Sequence, residues 1–270
     1  MTLPATSLPT ALAPEQPLLQ VRGLTKDYGA GRGCRDISFT LWPGEILGIV
    51  GESGAGKSTL LDCLGGFAVP DAGRADYASR LFGPVEIFGL SEARRRRLAR
   101  SEWGFVHQDA RRGLRMSVSA GGNVGERLMA EGERHYGSLR ARATDWLQRL
   151  ELDADRIDDP PSQFSGGMRQ RLQIARNLVT EPRLLLMDEP TGGLDLSVQA
   201  RLLDLLRGLV RGLDLSAVLV THDLGVVRLL CDRVLVMEGG RIVEEGLTDQ
   251  VLEDPQHPHS QRLVASILPV

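Results

Sequence analysis

Gly51-Glu52-Ser53-Gly54-Ala55-Gly56-Lys57-Ser58 follows an apolar, β-branched run from Glu45 to Val50 and precedes the helix-like stretch Thr59–Leu64. The order is therefore strand, glycine loop, helix. Small residues let the backbone N–H groups of such a loop wrap a chain of phosphates, while the following helix points its positive end at them. Lys57 is placed to reach the terminal phosphates, and Ser58 to ligate Mg²⁺. A plain glycine turn would share the glycines but would not call for the lysine. The chain has 32 Lys and Arg residues, of which only Lys26 and Lys57 are lysine. Lysine therefore stands where a compact ammonium serves as a point charge and a guanidinium fork is too large.

Outward from the loop, Leu18–Leu24 and Asp36–Leu41 read as short strands separated by the turn Tyr28-Gly-Ala-Gly-Arg-Gly33, which predicts an antiparallel β-flank. From about 91 to 179 the apolar pattern is helical, with Leu98, Leu128, Trp146, Leu147 and Leu150 among its positions. Strand signals resume at Arg183–Met187, Ala217–Thr221 and Val234–Met237, with an amphipathic helix over Val198–Val210. This alternation implies an α/β sheet. Glu238-Gly-Gly-Arg241 predicts a hairpin turn into Ile242–Glu245, and Asp254-Pro-Gln-His-Pro258 leads into a closing helix.

Leu184-Leu-Leu-Met187 runs directly into Asp188 and Glu189. A buried strand ending in two carboxylates is a place for metal and water, although acids at a helix start would look similar. Upstream, Phe164-Ser-Gly-Gly-Met-Arg-Gln-Arg171 sets two glycines ahead of an amphipathic helix, another N–H-lined anion site, with Ser165 as a hydroxyl donor. Taken singly, these features are common. Their order, with Gln108, Asp195 and His222 in between and beyond, is not.

Together they resemble the ABC ATPase family from Leu18 to the C-terminus. The resemblance implies a P-loop NTPase of the α/β class, with an ABC ATPase fold, an antiparallel β-flank and a helical subdomain over about 91–179. It implies one ATP-binding domain over 18–270 that hydrolyses ATP to ADP and phosphate with Mg²⁺. By the same resemblance Gly51 to Thr59 hold the phosphates and Tyr28 stacks on adenine. Glu189 polarises the attacking water, His222 holds the γ-phosphate, and Gln108 senses phosphate and metal. Ser58, Gln108 and Asp188 form the metal environment. Ser165, Gly166 and Gly167 close on ATP held by a second ABC subunit, the same chain or a paralogue, and Asp195 lies in the loop that communicates with it. Met168 stands where the family usually has glutamine, and Gly192-Gly193 replace the usual Ser-Ala before Leu194-Asp195, which puts the turnover rate in question.

Leu41-Trp-Pro-Gly-Glu45, Arg100-Ser-Glu-Trp-Gly104, Val118–Asn123 and Glu126-Arg-Leu-Met129 go beyond the family minimum. So does Asp188–Asp195 running into Ser197–Leu206. These stretches look like the ABC subunits of phosphonate carbon–phosphorus lyase systems, whose partner is a soluble lyase core complex. The alternative is the ATPase of a dipeptide or oligopeptide importer, with a membrane permease as partner. Such subunits share the Val198-Gln-Ala200 helix and the Asp254–Pro258 ending, but usually run on into a cysteine-rich extension.

A third class, ABC proteins acting on nucleic acid or ribosomes, usually carries two ATPase halves. A formal net charge of −3 and a pI near 6.0 give no global attraction to nucleic acid, and none is expected as a partner. Arg94–Arg97 lacks an aromatic ladder and reads as a solvated face or a dock for an acidic partner; Arg111–Glu126 is the expected docking surface. Cys34, Cys63 and Cys231 form no pair at metal-binding spacing, which suits a reducing cytosol. No apolar run suffices for a membrane span, and residues 1–17 lack a signal-peptide pattern and read as a mobile tail. The expected location is cytoplasmic, with membrane association in the importer case.

Overall fold

The apolar runs divide between two sheets, because strands beside the glycine loop are buried on both faces while those before it alternate. The computed structural model describes residues 16–266. The expected tail, residues 1–17, lies outside the described residues except for Gln16 and Pro17. β1 (Leu19–Asp27) and β2 (Gly33–Leu41) pair antiparallel, with Leu19 opposite Leu41 and Asp27 opposite Gly33. β3 (Ile46–Val50) feeds the glycine loop and α1 (Lys57–Gly65). β4 (Ala72–Ser79) and β5 (Gly83–Glu86) complete a four-stranded sheet in the order β2-β1-β4-β5. Neither β4 nor β5 carries a β-branched run; pairing of β4 with β1, and of β5 with β4, makes them strands, as tertiary context often does.

The stretch expected to be helical, about 91–179, holds α2 (Glu92–Ser101), α3 (Ala110–Gly113), α4 (Ala120–Glu131), α5 (Tyr136–Arg149) and α6 (Gly166–Leu178). It is interrupted by one strand, β6 (Trp103–Val106), which pairs parallel with β7 (Leu184–Asp188). Four residues are too few to show a period, and Gly104 suits the strand because a Cβ there would lie 2.7 Å from Leu185 Cδ1. The helices start at side-chain caps. Ser91, Ser119, His135 and Ser165 each accept a hydrogen bond from a backbone N–H three residues on.

After β7 come α7 (Leu196–Gly212), β8 (Ser216–Val220), α8 (Leu224–Leu230), and the hairpin of β9 (Arg233–Glu238) and β10 (Arg241–Leu247). The chain closes with α9 (Thr248–Glu253) and α10 (Pro258–Ala265). The second sheet runs β10-β9-β3-β8-β7-β6, parallel except for β10. Its strands feed two cores by simple alternation. Ile46, Val50, Leu185, Met187, Ala217 and Leu219 face the helical side, and Leu47, Ile49, Leu184, Leu186, Val218 and Val220 face α1 and the first sheet. None of the described helices is long and apolar enough to cross a membrane.

One buried carboxylate ties the sheets together. Glu102, 4% exposed between α2 and β6, accepts hydrogen bonds from Tyr77 Oη (3.0 Å), Ser79 Oγ (2.8 Å) and the N–H groups of Arg80 and Leu81 (3.1 and 2.9 Å). Its backbone carbonyl accepts from the N–H groups of Arg183 and Leu184 at the start of β7. Removing the carboxylate leaves three donors without a partner, two of them on largely buried side chains, while the Leu81 N–H keeps Ser79 Oγ at 3.0 Å. Glu102→Ala is therefore expected to lower unfolding stability by about 3 kcal/mol, and Glu102→Gln by less, since its amide keeps one acceptor. Urea denaturation followed by circular dichroism checks this; equal midpoints for wild type and Glu102→Ala would refute it.

Candidate functional site

The glycine loop is shaped by two carbonyl oxygens packed against its back. A Cβ on Gly51 would lie 2.2 Å from Met237 O, and one on Gly56 would lie 2.2 Å from Gly33 O. Gly56 also has φ 96°, a left-handed conformation that favours glycine. It caps α1 with no side-chain hydrogen bond, and the first N–H groups of that helix, at Lys57, Ser58 and Thr59, make no backbone hydrogen bond. These donors open into a cleft of about 670 Å³. Tyr28, Arg32 and Gly33 line one end, Ser53, Gly54, Gly56, Lys57, Ser58 and Thr59 the floor, and Gln108, Glu189 and His222 the other end. Of the predicted loop residues, Gly51 and Ala55 are buried beneath the cleft, and Glu52 contributes its carbonyl while its side chain stays exposed.

Lys57 is 6% exposed, and its Nζ donates to Gly51 O (2.7 Å) and Glu52 O (2.9 Å). Burial pulls its ammonium below the usual lysine range, against the opposing pull of the Glu189 and Asp188 carboxylates. Asp188, at the end of β7, accepts from Ser58 Oγ at 3.1 Å. Burial pushes its carboxyl above the ordinary range; the Ser58 hydrogen bond opposes this, and the Glu189 charge adds to it. No cluster of three His, Cys, Asp or Glu side chains able to hold a metal occurs among the described residues. A hydroxyl and one carboxylate facing a phosphate cradle nevertheless fit Mg²⁺, which keeps several waters and takes few protein ligands.

Glu189 is held from both sides. Gln108 Nε2 donates to its Oε2 at 2.9 Å, and His222 Nδ1 lies 2.9 Å from its Oε1. Its backbone has φ 42°, rare for a side chain of this size, and is fixed by its N–H to Val220 O (2.8 Å) and its carbonyl to Gly192 N–H (2.9 Å). The sheet thus imposes a conformation that aims the carboxylate at the cleft.

Two glutamines escaped the sequence reading. The His107 N–H donates to Gln173 Oε1 (2.8 Å), and the His107 carbonyl accepts from Gln170 and Gln173 Nε2 (3.2 and 3.0 Å). They fasten the residue before Gln108 to α6. The His107 ring is held down to about 4 by burial, with Arg112 and Arg176 adding to the effect, so it is neutral near pH 7. Gln170 sits inside the quoted Phe164–Arg171 stretch, where its buried helix position was the available signal. Arg32 and Gly33 were likewise visible as part of the Tyr28–Gly33 turn.

Ser165, Gly166, Gly167 and Asp195 are not brought into this cleft. They gather elsewhere. A Cβ on Gly167 would lie 2.6 Å from Val198 Cγ1, and one on Gly166 would lie 3.9 Å from Leu194 Cδ2, so the start of α6 packs on the start of α7. Ser165 and Gly166 are exposed, and Asp195 precedes α7 without using its carboxylate as a cap. The predicted site residues thus form two separate surfaces on one chain.

Residues 34–192 match the ABC transporter family. The chain is 62% identical over 253 residues to the Escherichia coli (strain K12) protein that carries the name phosphonates utilization ATP-binding protein PhnK, covering 94% of this chain and 98% of that one. It is 36% identical to the oligopeptide transport ATP-binding protein OppD of Bacillus subtilis (strain 168), covering 93% of this chain and 72% of the relative. Among solved structures, the dimeric post-hydrolysis state of the ATP-binding cassette MJ0796 bound to ADP and Pi superposes with a TM-score of 0.76 at 28% identity, covering 85% of this chain and 98% of that one. A family match across more than half of the sequence, with relatives well above 30% identity along most of its length, leaves one assignment: the chain belongs to the ABC transporter family, as an ATP-binding, ATP-hydrolysing subunit.

Proposed function

We propose that this subunit works as half of an ATP sandwich and serves a phosphonate carbon–phosphorus lyase complex. The observation that carries the sandwich is the separation of the two surfaces: the cleft around Lys57 is open, while Ser165, whose Oγ caps α6 but whose hydroxyl proton is free to donate, faces outward with Gly166 and Asp195. A second ABC subunit, in opposite orientation, supplies each with the other. The solved dimer of MJ0796 is consistent with such a pairing. The phosphonate role rests on 62% identity across nearly the whole of a relative named for phosphonates utilization.

Within the cleft, the free N–H groups of the loop and α1 bind the phosphates, and Tyr28, half exposed beside Arg32, offers a flat face to adenine. Ser58 and Asp188, with Gln108 nearby, hold Mg²⁺, which supplies charge neutralisation to the phosphates. Glu189 accepts a proton from the attacking water, and Gln108 and His222 orient its carboxylate. Residues 18–270 act as one ABC domain, whose helical part carries the second half-site and the docking surface at Arg111–Glu126. The second reading, a dipeptide or oligopeptide importer ATPase docked on a permease, is favoured by the 36% identity to OppD. Co-purification from the native cell separates the two: a soluble lyase core supports the first, membrane permeases the second.

Glu189→Gln keeps the size of the side chain and loses the base. Hydrolysis should fall at least about 100-fold while ATP binding survives; equal turnover in variant and wild type would remove Glu189 from this role. The sandwich is tested by mixing defects. Gly166→Asp places a charge on an exposed helix start with room for a Cβ, and Lys57→Ala removes the phosphate contact. Each alone should be inactive. For a homodimer, their mixture should recover up to about a quarter of wild-type activity, since half of random pairs keep one intact site of two. No recovery, with mixed dimers shown to form, would mean that both sites fire together or that the partner is a different ABC subunit.

A further inference from the structure

The C-terminal helix lies far along the chain from the glycine loop, yet a short run of backbone connects them. Glu238 ends β9, and the turn Gly239-Gly240 has φ 56° and 82°, the positive pair that a two-residue hairpin turn demands. This turn is wedged under the nucleotide cleft. Gly240 O accepts from Arg35 N–H at 2.7 Å, and a Cβ on Gly240 would lie 3.0 Å from Gly33 O. The same Gly33 oxygen backs Gly56, and Met237 O backs Gly51. Any shift of residues 237–240 therefore moves the floor of the cleft and the Tyr28–Gly33 turn together, because close-packed backbone has no slack.

What fixes residues 237–240 from the other side is α10. His259, 2% exposed, places Nδ1 3.0 Å from Glu238 Oε1, and Arg262 NH2 donates to the same oxygen at 3.1 Å. His259 Nε2 is buried with no hydrogen-bond partner, so the ring is oriented through its Glu238 contact. A second carboxylate on the hairpin, Glu244, accepts from Gln256 and His257 N–H groups at 2.8 and 3.0 Å and anchors the start of α10. The helix is thus fastened to both strands of the hairpin.

We infer that Glu238 is a positioning residue for nucleotide binding, through which α10 sets the shape of the ATP cleft. The inference rests on the reading of that cleft as the ATP site. It concerns affinity and leaves the chemical step alone, because the side-chain hydrogen bonds of Glu189, Gln108 and His222 run among themselves.

The test is direct titration of the full chain with ATP, alongside KM and kcat. Arg262→Ala changes a side chain that is 65% exposed and leaves the core intact. It should weaken ATP binding about fivefold, and Glu238→Ala at least as much, with kcat at saturating ATP within about twofold of wild type. The double variant should be no weaker than Glu238→Ala, because both act through one contact, and Arg262→Lys should restore affinity. Unchanged affinity in Arg262→Ala and Glu238→Ala, or a loss of kcat with affinity intact, or strictly additive losses, would each overturn the inference. Lys57→Ala serves as the control. If it weakens ATP binding while the Glu238 and Arg262 variants do not, this inference fails and the ATP-site reading stands; if it leaves binding intact, both fall.

Discussion

Two carbonyl oxygens, those of Gly33 and Met237, lie so close to the loop after β3 that neither Gly51 nor Gly56 has room for a side chain. This contact locks the central strand, the β1–β2 turn and the β9–β10 hairpin into one unit. The helix that follows must then start where it does, with its uncapped N–H groups turned to the cleft. The strands on either side of β3 are placed by the same register: β8 pairs along Ile46–Ile49 and β9 along Leu47–Val50. Each carries its own C-terminal end to the same edge of the sheet, where ligand sites of open α/β sheets are built.

That edge explains the chemistry available to Glu189. A carboxylate on a flexible loop would sample many orientations; this one is carried on a backbone of positive φ, tied to Val220 and Gly192, and bracketed by Gln108 and His222. The cost of such a conformation, of order 1–3 kcal/mol, is met by the packing of β7 against β6 and β8. Gln108 in turn depends on α6, since Gln170 and Gln173 hold the residue before it. The helix that begins with Ser165 and Gly166 is therefore physically connected to the position of Gln108.

Much of this was legible in the residues themselves. The loop from Gly51 to Ser58 announces itself because each position answers a steric or electrostatic demand: small residues where backbone approaches backbone, a single lysine where a point charge is needed. The run Leu184–Glu189 was ambiguous by itself, since acids at a helix start look similar, and it gained its meaning from the Phe164–Arg171 stretch with Gln108, Asp195 and His222. The apolar strands β3, β7, β8 and β9 follow from composition alone, because a strand buried on both faces has no polar alternation to hide it.

Other features were decided only by tertiary structure. β4 is a strand because β1 offers an edge, β5 because β4 does, and β6 because β7 does; Ala-Gly-Arg-Ala and Trp-Gly-Phe-Val are too short or too mixed to declare it. Glu102 reads as one more charge after an arginine-rich helix until four donors from a different sheet converge on it. Gln170, Gln173 and Glu238 are of the same kind, polar residues whose partners lie dozens of positions or a whole element away. The sequence by itself displayed residue types suited to phosphate and proton handling, because the loop Gly51–Ser58 and the acids Asp188 and Glu189 each lie within a few consecutive residues. Which backbone segments buttress those groups depends on contacts between segments distant in sequence, and only the folded chain decides them.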